Sequence, residues 1–236
     1  MVATGALAAI AMGGDEMAAR VTSENLARGS ERMGANERKG TAYLADAATA
    51  GALHAAWKET RVAIRHQADV EKAVVHSSSI LYDDPAGAQR RLAALEAAID
   101  RKAAAMVDEA KAAYALHAQR LGTQPISDPP PSAEEKEAAN LVVESAGGAR
   151  GARGAQGAGG AQGTGGGWGA RGAGAPGAPQ LPQHMNAEFQ ILLTKRLTVL
   201  EIRDFLSGEF EPLPLADLMT VLRAREAAGV IRLVKK

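Results

Sequence analysis

The chain has 236 residues, 27 Lys and Arg against 27 Asp and Glu, and no cysteine. That length admits one ordinary domain or two small ones. The even charge argues against tight binding to phosphate backbones, and the lack of cysteine excludes disulfides, thiolate catalysis and cysteine-based zinc or iron-sulfur sites.

The opening MVATGALAAIAMGG is apolar, but no Lys or Arg precedes its hydrophobic run, which falls short of the roughly 18 to 20 residues that span a bilayer. It reads as a helix start or frayed end rather than a signal peptide, so the expected location is cytoplasmic, with no membrane span. Asp15 to Gly40 is a helical candidate that Gly29 and Gly34 interrupt and whose apolar residues keep to no single face. From Thr41 to His76 no proline intervenes, and Ala50, Leu53, Trp57, Ile64, Ala68 and Val75 fall on one stripe at helical spacing. The serines before Ile80 and the Asp83-Asp84-Pro85 turn break the pattern, with Asp84 placed as N-cap and Pro85 at the first helical position.

The next helix runs to about Leu121 and ends at Gly122. Leu92, Ile99, Ala103, Met106, Ala110, His117 and Leu121 share its face. Two amphipathic helices joined by a short turn make an antiparallel hairpin or small bundle over residues 1–122. A stripe half made of alanine buries little against the entropy of ordering the chain, so self-association into a homo-oligomer is the expected remedy. His54, His66, His76 and His117 form no HExxH and no Glu-x-x-His pair, and no metal site is expected of them.

Residues 123–146 read as a proline-rich spacer followed by a short helix. Three prolines in a row enforce an extended path, and Ser132 with Glu135 fits a capping box. Leu141, Val142 and Val143 are apolar enough to dock that helix on the hairpin.

Residues 148–174 place glycine at every third position through nine triplets. Collagen-like strands also need abundant proline, and this run has none. An arginine-glycine segment that binds RNA interleaves many arginines with aromatic rings, whereas here Arg150, Arg153, Arg171 and Trp168 stand alone. The expectation for 147–184 is a disordered, flexible tether.

All three phenylalanines follow residue 185, which marks 185–236 as a core-forming module. Thr198 and Glu201 form a capping box, and Leu197 with Ile202 form a hydrophobic staple. The helix they open is expected to stop at Gly208. A further helix carries Leu215, Leu218, Met219 and Leu222 until Gly229 ends it. VIRLV then reads as a strand with Ile231 and Leu233 on one side.

The order of short helix, LTVLEIRDFL, PLADLMTVLRAREAAG and VIRLV resembles a winged-helix module over 52 of the 236 residues. The resemblance implies a third helix able to enter a major groove and a β-hairpin wing after it. The sequence departs from that pattern in offering no second wing strand after VIRLV and in placing Asp217 near the start of the third helix. Arg223, Arg225, Arg232, Lys235 and Lys236 are the candidate phosphate contacts if the module binds DNA.

The fold class expected is therefore mainly α: a helical hairpin or bundle, a Gly-rich tether and a small winged-helix-like module with a short strand. No nucleophile elbow, phosphate-binding loop or spaced carboxylate pair is present, so no catalytic residue, cofactor or metal is assigned and no enzyme is expected. The function expected is that of a two-module interaction protein, with helical oligomerisation tethered to docking on an unidentified protein. The alternative is a DNA-binding transcriptional regulator that uses the five basic residues.

Overall fold

The computed structural model describes residues 13–146 and 179–236. The apolar opening and residues 147–178, the greater part of the expected tether, lie outside the described residues. The described chain is mainly helical with one small antiparallel sheet. It divides into two compact units, one of Met1–Pro129 with Ser207–Glu209 and one of Pro130–Leu206 with Phe210–Lys236, the first boundary falling inside the triple proline.

Three long helices build the first unit: α1 (Gly14–Asp46), α2 (Ala50–Ser77) and α3 (Pro85–Arg120). Short connections make sequential neighbours antiparallel. Gly40 meets Thr60 and Gly29 meets Glu71 between α1 and α2, while Lys72 meets Asp100 and His54 meets Tyr114 between α2 and α3. The expected stripes face inward: Leu53, Trp57, Ile64 and Val75 from α2 pack with Leu92, Ile99 and Met106 from α3 in one core. Asp84 caps α3 by accepting from the Gly87 N–H at 2.9 Å. Gly122 supplies a φ of 62° just past the end of α3.

Two features depart from the sequence reading. The helix expected from Thr41 to His76 is broken at Ala47, whose backbone is extended, and Thr49 caps the new start by accepting from Ala52 N–H. The segment around Gly29 and Gly34 is the middle of a continuous 33-residue helix rather than an interrupted one. Its buried face is Ala18, Thr22, Gly29, Met33, Gly40 and Leu44, a stripe in which small residues stand at core positions. Gly29 and Gly40 are notches: a Cβ on Gly29 would lie 2.5 Å from Glu71 Oε2, and one on Gly40 would lie 2.5 Å from Thr60 Cγ2. The helix tolerates glycine because packing outweighs its propensity deficit of about 1 kcal/mol. This third helix supplies burial that the hairpin alone lacks.

The second unit comprises α4 (Ala133–Ala139), β1 (Leu141–Ser145), α5 (Asn186–Leu192), α6 (Val199–Glu209), α7 (Leu215–Ala227) and β2 (Ile231–Lys235). Both expected capping boxes are closed: Ser132 and Glu135 exchange bonds at the head of α4, and Thr198 and Glu201 do so at the head of α6. Gly208 does not stop α6. It keeps a negative φ, and the helix reaches Glu209, where Phe210 N–H still bonds Leu206 O at 3.0 Å. Gly229 takes a φ of 69° and turns the chain from α7 into β2.

The strand β1 comes from residues read in the sequence as spacer. It pairs antiparallel with β2, Val143 opposite Leu233 and Glu144 opposite Arg232, and Val142 bridges to Thr198 on its other side. Val143 is fully buried with Met185, Phe189, Ile202, Leu222 and Ile231, so it docks on the C-terminal helices and not on the hairpin. Leu181, inside the range assigned to the tether, lies in the same core. On one side of the glycine-dense stretch the Ala146 N–H bonds Val230 O, and on the other Leu181 lies in the same core. The glycine-dense stretch is flanked on both sides by residues of one unit.

Candidate functional site

The five basic residues singled out in the sequence do not share one surface. Arg223, near the middle of α7, faces α4 and lies 3.6 Å from Glu137 Oε1. Arg225 lies over the Phe189 ring at 4.7 Å from its centroid and donates to Gln190 Oε1 at 3.1 Å. Burial pushes its guanidinium below the ordinary arginine value. Arg232, Lys235 and Lys236 are exposed along β2 and just past it, and among the described residues none has a carboxylate at ion-pair distance. Three cations therefore gather at the sheet, while the other two are engaged by α4 and α5.

The outward side of α7 carries Ala216, Asp217, Thr220 and Arg223. A groove between this helix and α4 is lined by Glu134, Glu137, Leu215, Met219, Thr220 and Arg223. The exposed side of α7 thus carries Asp217 and borders Glu134 and Glu137 of α4, with Arg223 held by Glu137.

The sheet carries features the sequence reading missed. Glu144 on β1 stands opposite Arg232 and also accepts from Arg196, which sits in the left-handed region at φ 53° in the turn before α6. Glu226, at the end of α7, accepts from Leu233 N–H at 2.7 Å. The adjacent β-branched Val142 and Val143 in LVVES were the available sign of a strand, but nothing local names its partner some 90 residues away in the chain. At the head of α6 the Thr198 backbone N–H, and then its hydroxyl, hold the Glu201 carboxyl below the usual carboxylate range.

In the first unit His54 and His76 have side-chain partners. His54 Nδ1 is 2.6 Å from Tyr114 Oη, and His76 Nδ1 is 3.2 Å from Glu96 Oε1. His117 keeps a buried Nδ1 with no hydrogen-bond partner among the described residues. A small cavity between the three helices is lined by Leu26, Met33, Val75 and Ile99, with Glu71 and Lys102 at its polar edge. Glu71 is 2 % exposed, but both of its oxygens are taken by Arg32 at 2.7 Å and one also by Gln67. The cavity wall is mainly apolar, with Ser30 also in its lining. Among the described residues no group of three His, Asp or Glu side chains converges as metal ligands, and no helix is long and apolar enough to cross a membrane.

No protein-family model matches the chain, and no curated protein or solved structure matches it either.

Proposed function

We propose that this chain is a non-enzymatic interaction protein in which a three-helix bundle carries, beyond a triple-proline joint, a winged-helix-like module that docks on protein. In this reading α5, α6 and α7 are the three helices, β2 is the first wing strand, and β1 replaces the second wing strand from upstream in the chain. The order Thr198, β1, β2 across the sheet supports that assignment.

Protein rather than DNA is favoured by one observation. The exposed side of α7 carries Asp217 and borders Glu134 and Glu137, and Glu137 holds Arg223, so phosphates approaching this helix would meet carboxylates. The DNA-binding reading draws on Arg232, Lys235 and Lys236 alone. A mobility shift of the full chain on random duplex at low salt decides between them. No retardation at tens of micromolar supports protein docking, whereas salt-sensitive retardation that Arg232→Ala weakens overturns it.

A further inference from the structure

The pairing of β1 with β2 leaves one edge of the sheet open. Antiparallel ladders alternate between pairs that exchange both backbone bonds and pairs whose polar groups point outward. Here Lys236 N–H bonds Asn140 O at 2.8 Å and Ala146 N–H bonds Val230 O at 3.1 Å, which fixes the phase of that alternation. Residues 141, 143 and 145 of β1 and 231, 233 and 235 of β2 therefore turn their backbone groups away from each other. On the β1 side that direction is covered, because Val143 N–H bonds Leu197 O at 2.9 Å.

On the β2 side no strand follows among the described residues. Instead the Glu226 carboxylate reaches Leu233 N–H at 2.7 Å and stands where the carbonyl of a neighbouring strand would stand. Glu226 is exposed at the end of α7, so its removal from that place uncovers a donor without opening the core. The face of β2 on which Arg232, Val234 and Lys236 alternate is exposed, with Val234 40 % accessible between the two cations.

We propose that the outer edge of β2 is a strand-addition site for an extended segment of a partner protein that reads acid-x-apolar-x-acid, its backbone displacing Glu226 from Leu233 N–H. The acids pair with Arg232 and Lys236 and the apolar residue covers Val234. A second copy of β2 is a poor occupant, because Arg232, Lys235 and Lys236 would face their own kind across the new pair. Glu226 is in this view a built-in competitor that keeps the edge satisfied until the partner strand arrives. The inference rests on the reading of the C-terminal unit as a protein-docking module.

The test uses the full chain and a fluorescein-labelled peptide amide, Thr-Glu-Thr-Val-Thr-Glu-Thr, followed by anisotropy, with a Thr-Lys-Thr-Val-Thr-Lys-Thr control. The acidic peptide is expected to bind the wild-type chain, and Glu226→Ala to tighten it about fivefold, the worth of one freed hydrogen-bond donor. Arg232→Glu leaves Lys236 as the one cation of the pair and should abolish the preference for the acidic peptide, and amide exchange at Leu233 should slow on wild-type binding. Equal binding of both peptides overturns the proposal, as does no binding by a Glu226→Ala protein whose melting temperature is unchanged. Concentration-dependent self-association of Glu226→Ala without peptide binding also overturns it, since Glu226 then only guards the edge. A DNA shift in the preceding experiment defeats the docking reading itself, whereas peptide failure without a DNA shift defeats only the strand-addition site.

Discussion

Trp57 and Tyr114 stack face to face, their ring centroids 5.2 Å apart and their planes 6° from parallel. The pair ties the segment after α3 to the bundle. Tyr114 Oη lies 2.6 Å from His54 Nδ1 and accepts from Ile126 N–H at 2.8 Å, while Trp57 Nε1 donates to Ser127 O at 3.1 Å. The Arg61 guanidinium lies over Trp57 and donates to Asp128 at 2.8 Å. Tyr114→Phe keeps the stack and the volume but strands Ile126 N–H and the histidine nitrogen. It should cost about 1 to 3 kcal/mol of unfolding free energy, measured by urea titration, and speed amide exchange at Ile126. An unchanged midpoint and unchanged exchange would show that the hydroxyl bridge holds nothing.

Glycines on α1 should respond in opposite directions to the same substitution. At Gly34 a Cβ meets nothing closer than Arg38 Nη1 at 3.7 Å, so Gly34→Ala should stabilise by about 0.5 to 1 kcal/mol through helix propensity and lost unfolded-state freedom. At Gly29 the new atom runs into a carboxylate that Arg32 and Gln67 hold in place. Gly29→Ala should therefore destabilise by about 1 to 3 kcal/mol despite the same propensity gain. Thermal melts of the two variants check the sign, and a shared sign would mean that Gly29 is not a packing notch.

The same glycines explain how far the sequence could be read. Apolar spacing was enough to place α2 and α3, because Trp57, Ile64, Ile99 and Met106 all bury side chains that a hydrophobic stripe reveals. On α1 the core positions include Thr22, Gly29 and Gly40, which carry no hydrophobic signal, so the helix looked interrupted where it packs most closely. The break at Ala47 was invisible for the complementary reason: no glycine or proline marks it, and only Thr49 caps the restart. In the second unit local chemistry sufficed for Thr198, Glu201 and Gly229. The pairing of Val143 with Leu233 is a long-range contact with no local signature, and with it went the two-stranded sheet and the edge cations as a cluster.

A pH signature is expected at Glu37 on α1. Burial, followed by a hydrogen bond and like-charge repulsion with Glu109 on α3, raises its carboxyl above the ordinary carboxylate range, and Lys102 and Arg38 pull it only part-way back. A raised folded value means the fold favours the proton. The protonated site costs nothing below the ordinary carboxyl range, and ionisation removes stability as pH rises through the raised value. Glu37→Gln should stabilise by about 0.5 kcal/mol at neutral pH, a figure kept small because the site is only half buried. The gain should vanish near about pH 3.5, where the carboxyl is protonated folded or unfolded. Melting temperatures of both proteins across that range give the test, and a gain independent of pH would mean that ionisation of Glu37 is not its source.

The pairing of β1 with β2 makes a stringent prediction about the glycine-dense stretch. If two folded ends were joined by that stretch, cutting it would release them. Here the strand before the stretch is part of the same core as the helices after it: Val143 is fully buried against Phe189, Ile202 and Ile231, and Leu181 lies in the core too. Burying one valine contributes about 1.5 to 3 kcal/mol, and β2 without β1 would lose its ladder partner. A fragment of residues 185–236 should therefore show no cooperative melt, whereas residues 130–236 should melt in one transition, by circular dichroism. In the full chain, a protease site inserted between Gly159 and Gly160 and then cut should leave both pieces eluting together from a sizing column under native conditions and apart in urea. Val143→Asp, which puts a charge into that core, should let the cut pieces separate without denaturant. Separation of the cut wild-type pieces under native conditions would return the stretch to the role of a leash between independent ends.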